Sequence, residues 1–315
     1  MYLLASGSLK KVPRDVAVLL KELLLPRQGA PTAEEVAVVR LGSQSLVEVG
    51  FRVAVERERA RRRGPGLLTE VYEDVQGRLL EAMRSDGSLR AVERAGAGDS
   101  LTLLGDPRQG VLEVEAMEFC HVGAGRFWMG SGDEDKMARD DEKPLHEIEI
   151  GYAYWVSRYP VTQAQYRAFV EAGGYKEERY WTAWGWRWRE QEGLEDRDPY
   201  GGVHELSNHP VVRVSWYEAM AYCRWLTGYY REVVAPDRLA SEDLTPQEHA
   251  FWVGLQLGWG DWGCTCRVRV SGRRRPVVVL TGVVIRGERR RTRTERTRMI
   301  RESALRMRWG ASAEE

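Results

Sequence analysis

Histidine is absent from the first 120 residues of this 315-residue chain, whose five histidines begin at His121. A histidine-ligated metal site therefore cannot be built in that region. Phenylalanine is scarce too: there are five Phe against twelve Trp, and eleven of those Trp fall between Trp128 and Trp262. Whatever needs large rings belongs to the second half of the chain. Four cysteines, Cys120, Cys223, Cys264 and Cys266, are too few and too unevenly spaced for the disulfide framework of a small secreted domain, so a reducing cytoplasm is the expected location. Long apolar runs are missing as well. The stretch from Val16 to Leu25 is broken by Lys21 and Glu22, which excludes both a spanning segment of about 20 residues and a signal h-region, and no membrane partner is expected. Nor is there an excess of charge, since 47 basic residues balance 47 acidic ones. The chain as a whole offers no field for nucleic acid or membrane.

What is present reads first as helix. Val16, Leu19, Leu20, Leu23 and Leu24 recur at spacings of three and four, and Pro26 and Gly29 close that helix. Thr32 with Glu35 forms a capping-box signature. "ERERARRR" (56–63) reads as a solvated helix face meeting a loop, and "TEVYEDVQGRLLEAMR" as a further amphipathic helix. The turn-rich "LGDPRQG" (104–110) marks a change, and from Val111 the pattern becomes strand-like and aromatic. Two helix starts follow with one signature, Thr162 with Gln165 and Ser215 with Glu218. Gly173 is the stop of the first, and Ala219, Tyr222, Cys223 and Leu226 line the buried side of the second. Cys223 reads there as a buried small hydrophobe.

Five blocks occur in order: "GAGRFWMGS" (123–131), "DDEKPLHEIEI" (140–150), "YPVTQAQYRAFVEAGGY" (159–175), "WGWRWRE" (184–190) and "NHPVVRVSWYEAMAYCRWL" (208–226). Together they resemble the formylglycine-generating enzyme family, or sulfatase-modifying factor domains, over residues 117–228. The resemblance implies an α+β fold, an irregular variant of the C-type lectin fold with two main helices and a small antiparallel sheet. The chain then divides into a mainly helical N-terminal region (1–108), the recognisable family domain (109–245) and a divergent basic segment (246–315).

Enzymes of the family oxidise a substrate cysteine to formylglycine with copper held by a cysteine pair in the C-terminal part of the domain. There the pattern would run "RLPTEAEWE", "GN-WEW", "RGGSW" and "GFR". From Arg238 this chain reads "RLASEDLTPQEHAFWVG", and the later blocks do not appear. No catalytic residue is carried over, which leans against catalysis. The similarity is then to family domains without the copper cysteines, which serve bacterial multidomain and signalling proteins as ligand- or protein-binding modules, with no cofactor. The alternative is a copper-dependent oxidase that uses Cys264 and Cys266, whose C-x-C thiolates suit a soft ion.

Candidate binding residues are Trp184, Trp186 and Trp188, which share one side if "WGWRW" is extended, and His209, whose place before Pro210 favours an extended backbone and a bond to nearby main chain. His146 flanks an acidic run, "DEDKMARDDEKP", that lacks the alternation of a calcium loop and reads as solvated. From Arg267 onward there are fifteen Arg, five acidic residues and no Lys. Nucleic-acid binding through this tail is a third reading, though Trp309 is its only aromatic residue. "RPVVVLTGVVIRG" reads as two short strands across Thr281 and Gly282. An Arg-rich, Lys-free continuation after an abrupt loss of the family pattern is also what a shifted reading frame in GC-rich DNA would give.

Overall fold

The computed structural model describes residues 13–24, 29–61, 64–85, 87–257, 264–271 and 277–286, the last two segments through their backbone. The fold is α+β: a mainly helical N-terminal region, then small antiparallel sheets and further helices. Contacts divide it into two units.

The first unit holds the residues up to Met117 together with 161–168 and 198–213. Its helices are α1 (Pro13–Leu24), α2 (Ala33–Glu48), α3 (Phe51–Arg61), α4 (Leu67–Arg84) and α5 (Ala91–Leu104), followed by the single turn α6 (Gln109–Leu112). Val16 and Leu20 of α1, Leu46 of α2, Val75 and Leu79 of α4 and Leu101 of α5 meet in one core. The helical spacing read from the sequence places them on the inward faces. The Thr32 and Glu35 capping box is formed, with Thr32 N donating to Glu35 Oε2 at 3.0 Å and Glu35 N to Thr32 Oγ1 at 3.3 Å.

Helix α4 lacks such a residue, because its N-cap is Gly66. The carboxylate of Glu58 in α3 takes that role from a distance, accepting from Thr69 N and Thr69 Oγ1 at 2.8 Å each. A Cβ on Gly66 would stand 2.2 Å from that carboxylate, so glycine is what lets it approach. The chain is not strand-like from Val111. Gln109–Leu112 is helical, and the buried Val111, Val114 and Met117 recur every three residues, so packing follows that spacing and a strand begins only at Phe119.

Asp106, in the turn-rich "LGDPR", is the polar centre of this unit. Its side chain is 0% exposed. It accepts from Arg108 N at 3.0 Å, Arg108 Nε at 2.9 Å and Asn208 Nδ2 at 2.9 Å. Burial opposes its charge, but the bonds from Arg108 and Asn208 outweigh that penalty and hold its pKa below the usual carboxylate value. Asn208 also donates to Gly98 O at 3.0 Å and accepts from the Thr102 hydroxyl, both on α5.

The second unit holds residues 118–160, 169–197 and those from Val214 on. In chain order its strands are β1 (Phe119–Val122), β2 (Gly125–Met129), β3 (His146–Ile150), β4 (Tyr154–Ser157), β5 (Cys264–Ser271) and β6 (Val277–Arg286). The helices of this half of the chain are α7 (Gln163–Glu171), α8 (Ala183–Glu192), α9 (Trp216–Tyr229), α10 (Ala235–Leu239) and α11 (Pro246–Leu257), with a π-helical turn, Tyr230–Val234, joining α9 to α10. One antiparallel sheet runs β1-β4-β6-β5, and β2 pairs with β3 alone. The segment that departs from the family pattern thus supplies α11 and two strands, and β6 pairs with β4 through Trp155 opposite Ile285.

The expected break at Thr281 and Gly282 is absent. Residues 277–286 form one strand, in which Gly282 pairs with Arg267 and Leu280 with Val268. Thr281 is the extra residue of a bulge, which a strand glycine marks as readily as it marks a turn.

Large rings fill the second unit. Phe169 lies 5.8, 5.9 and 5.7 Å from Tyr175, Tyr222 and Trp225 between ring centroids, and Phe251 packs against Phe119, Trp155 and Trp252. Cys223 is fully buried, as its position in the helix pattern predicts. Its sulfur is, however, disulfide-bonded.

Candidate binding surface

The Trp-rich segment is helical, not extended. Thr182 caps it by accepting from Gly185 N at 3.0 Å, and Gly193 ends it in the left-handed conformation at φ 64°. Both signals stand in the sequence. A helix turns about 100° per residue, so Trp184 and Trp188 share a face while Trp186 points elsewhere.

Trp186 packs edge-on to Trp181 at 6.4 Å, with the Arg189 guanidinium 4.2 Å above its ring. Arg189 Nη1 is held by Tyr175 O at 2.8 Å and Leu194 O at 3.0 Å. Trp188 meets Tyr217 at 5.5 Å. Beside it, a Cβ on Gly185 would lie 3.1 Å from the Tyr217 ring, so α8 comes close against the first turn of α9. The neighbours of these two contact residues face solvent: Trp184 is 72% exposed and Trp216 54%. The Arg187 guanidinium lies 5.7 Å from the Trp184 ring.

The start of α9 is fixed from within. Ser215 N donates to Glu218 Oε2 at 2.6 Å and Glu218 N to Ser215 Oγ at 3.2 Å, closing the expected capping box. The buried Glu218 also accepts from the Tyr175 hydroxyl at 2.5 Å, a link between distant residues that no local pattern announces. The Thr162 and Gln165 box is formed too, at 3.1 and 3.3 Å.

His209 lies in the first unit, apart in the chain from the tryptophans. Its Nε2 is 2.9 Å from Asp99 Oδ1 of α5, so a carboxylate takes the place of the expected main-chain partner. Cys264 and Cys266 occupy alternate positions of β5, opposite Ile285 and Val283, and their side chains lie outside the described residues. The acidic run is spent on its own loop, where Asp135 accepts from Met137 N at 2.9 Å and Glu142 from Arg139 N at 3.1 Å. His146 Nδ1 lies 2.8 Å from Pro144 O. Among the described residues no three His, Cys, Asp or Glu are grouped to hold a metal ion, and no helix is long and apolar enough to cross a membrane.

With this geometry in place, residues 108–242 match the family described as the Sulfatase-modifying factor enzyme 1-like domain, and the chain carries a domain of that family. Its relatives include a hercynine oxygenase of Mycolicibacterium thermoresistibile, 34% identical over 102 residues, which are 29% of this chain and 23% of that protein. A formylglycine-generating enzyme of Thermomonospora curvata is 30% identical over 148 residues, covering 38% of this chain and 46% of the relative. A mouse protein named inactive C-alpha-formylglycine-generating enzyme 2 is 30% identical over 151 residues, or 40% and 47%. The chain thus spans less than half the length of each of these three relatives.

Proposed function

We propose that the family domain of this chain is a non-catalytic binding module of the kind found in bacterial multidomain and signalling proteins, and that it engages a ligand or protein partner through the tryptophans of α8 and the start of α9. The observation that carries this reading is the exposure of Trp184 and Trp216 on either flank of the close contact between Gly185 and Tyr217. A Trp ring left in water forgoes the burial of about 150–250 Å². Rings held on a rigid helical base make effective anchors, because little freedom is lost when they are covered. An array of peptides and glycans probed with the full chain and with the Trp184→Ala, Trp216→Ala double variant tests this. The expected result is loss of at least about tenfold in affinity for the ligands bound by the parent, with an unchanged melting temperature. Equal binding by both proteins would remove the assignment.

The enzymes among the relatives favour one second reading, a copper-dependent oxidase using Cys264 and Cys266. Their alternate places on β5 put them on one side of the strand, but a thiolate pair there requires the reduced protein, since Cys223 is disulfide-bonded and Cys120 is free. Stoichiometric Cu(I) binding that is lost in Cys264→Ser, with aldehyde formed on a cysteine peptide, would establish it. No binding at micromolar copper would end it.

A further inference from the structure

Strand β2 carries its apolar side chains in water. All five of its residues are exposed, with Phe127 at 41%, Trp128 at 67% and Met129 at 45%. It pairs with β3 on one side, and among the described residues no strand lies on the other. We propose that this free edge is the interface with a second copy of the chain, in which two β2 strands pair antiparallel about a two-fold axis at Phe127. No residue of the tryptophan face on α8 and α9 enters it, so the inference stands apart from the binding module.

Register is the first argument. Antiparallel pairing of "GRFWM" (125–129) with itself sets Phe127 opposite Phe127 of the second copy, Arg126 opposite its Trp128, and Gly125 opposite its Met129. Within one copy Phe127 lies opposite Ile148, and Gly125 opposite Ile150. The joined four-stranded sheet therefore carries a row of Ile148, Phe127, Phe127 and Ile148 across the middle of one face, a run of aromatic and β-branched neighbours. Gly125 leaves room for the Met129 that faces it, since nothing stands within 4 Å of where its Cβ would be. An isologous contact needs one patch that complements itself, and this sequence does so about its central residue.

Charge selects both the edge and the occupant. Arg126 is the only charged residue of β2, and Glu147 and Glu149 of its own copy lie 3.2 and 3.7 Å from it. It is thus neutralised before any partner arrives. Its side chain is still 65% exposed, so the guanidinium keeps a face for the Trp128 ring across the axis. No like charges meet. The same operation at β3 would set Glu147 opposite Glu149 of the second copy, and such facing carboxylates guard an edge against pairing. Laying β3 of a second copy on β2 would bring two more carboxylates to an Arg126 that already has two, and its repetition would build an open filament. Strand β2 has no Lys, Pro or bulge to blunt its edge. The contact is short, so it belongs with the weak associations that bury less than about 1,200 Å².

Sedimentation velocity of the full chain between about 5 and about 500 μM tests the proposal, in the range where weak contacts populate. A monomer–dimer equilibrium is expected. Phe127→Glu, which sets two carboxylates against each other on the axis, should weaken it at least about tenfold. Cross-linking gives a second measure that adds no charge. In a Cys120→Ser background, Phe127→Cys should form a disulfide-linked dimer under oxidation by copper phenanthroline, because the two Cβ atoms face each other. Met129→Cys, whose mate lies four residues away along the paired strands, should cross-link at least about fivefold more slowly. A chain that stays monomeric at every concentration would overturn the proposal. So would dimerisation unchanged by Phe127→Glu, equal cross-linking at the two positions, or assemblies that grow beyond the dimer.

Discussion

The imidazole Nε2 of His209 lies 2.9 Å from the Asp99 carboxylate of helix α5, tying the segment that leads into "HPVV" to the N-terminal helices of its own unit. Beside it, Asn208 bonds to Gly98, Thr102 and Asp106. The two adjacent residues act as one polar clasp on a helix whose other face is buried among leucines.

A double-mutant cycle with Asp99→Ala and His209→Ala should show a coupling of about 0.5–1 kcal/mol in urea unfolding of the full chain, because both side chains keep partial access to water. Zero coupling would mean that the proximity contributes nothing.

Asn208→Ala should cost more, about 1–3 kcal/mol, since it removes bonds from buried partners, including the carboxylate of Asp106. The depressed pKa of Asp106 sets the pH dependence. Its contribution is present in full above the ordinary carboxylate value of about 4, and is lost as the pH falls through the lower native value. Asp106→Asn should lower stability at neutral pH and flatten the acid limb of the stability profile. An acid limb identical to that of the parent would contradict this.

Glu58→Ala should destabilise the helical unit by about 1 kcal/mol, the worth of a helix cap, although the residue lies in another helix. Gly66→Ala should cost a similar amount by forcing the carboxylate away. Neither change touches the apolar core, so an unchanged urea midpoint in both variants would refute the remote cap.

Tyr175→Phe removes the hydroxyl that donates to the buried Glu218. The expected loss is about 1–3 kcal/mol, because the carboxylate loses a partner where water does not replace it. The comparable change at Tyr180, which lies nearer the surface, should stay within about 0.5 kcal/mol.

Local rules read well from the sequence. Thr32, Thr162 and Ser215 each cap a helix with the partner three residues on, and Gly173 stops the first helix of the family domain, because these devices need only neighbours in the chain. The order of five blocks carried the family. What failed depended on period or on distance. "WGWRW" alternates like a strand, yet Thr182 and Gly193 bracket it as a helix. Gly282 has the look of a turn but sits in a bulge, which only the partner strand reveals. For Glu58 and Tyr175 no local signal exists, since their partners are brought together by the packing of separate elements, and the same holds for the bond from Asn208 to Asp106, whose other partner, Arg108, is two residues along the chain. Of the candidate site residues, Trp184 stands out in water while Trp186 and Trp188 are partly covered, a division that becomes visible only once the helix is known.

The clasp at Asn208 and His209 bears on how this protein can be taken apart. The family match begins at residue 108, whereas Gly98, Asp99, Thr102 and Asp106 come before it. An expression fragment started at the boundary of similarity would carry the hook without its eye, leaving an amide and an imidazole that the native chain keeps engaged. The stretch that matches the family and the stretch that packs together are different pieces of this polypeptide.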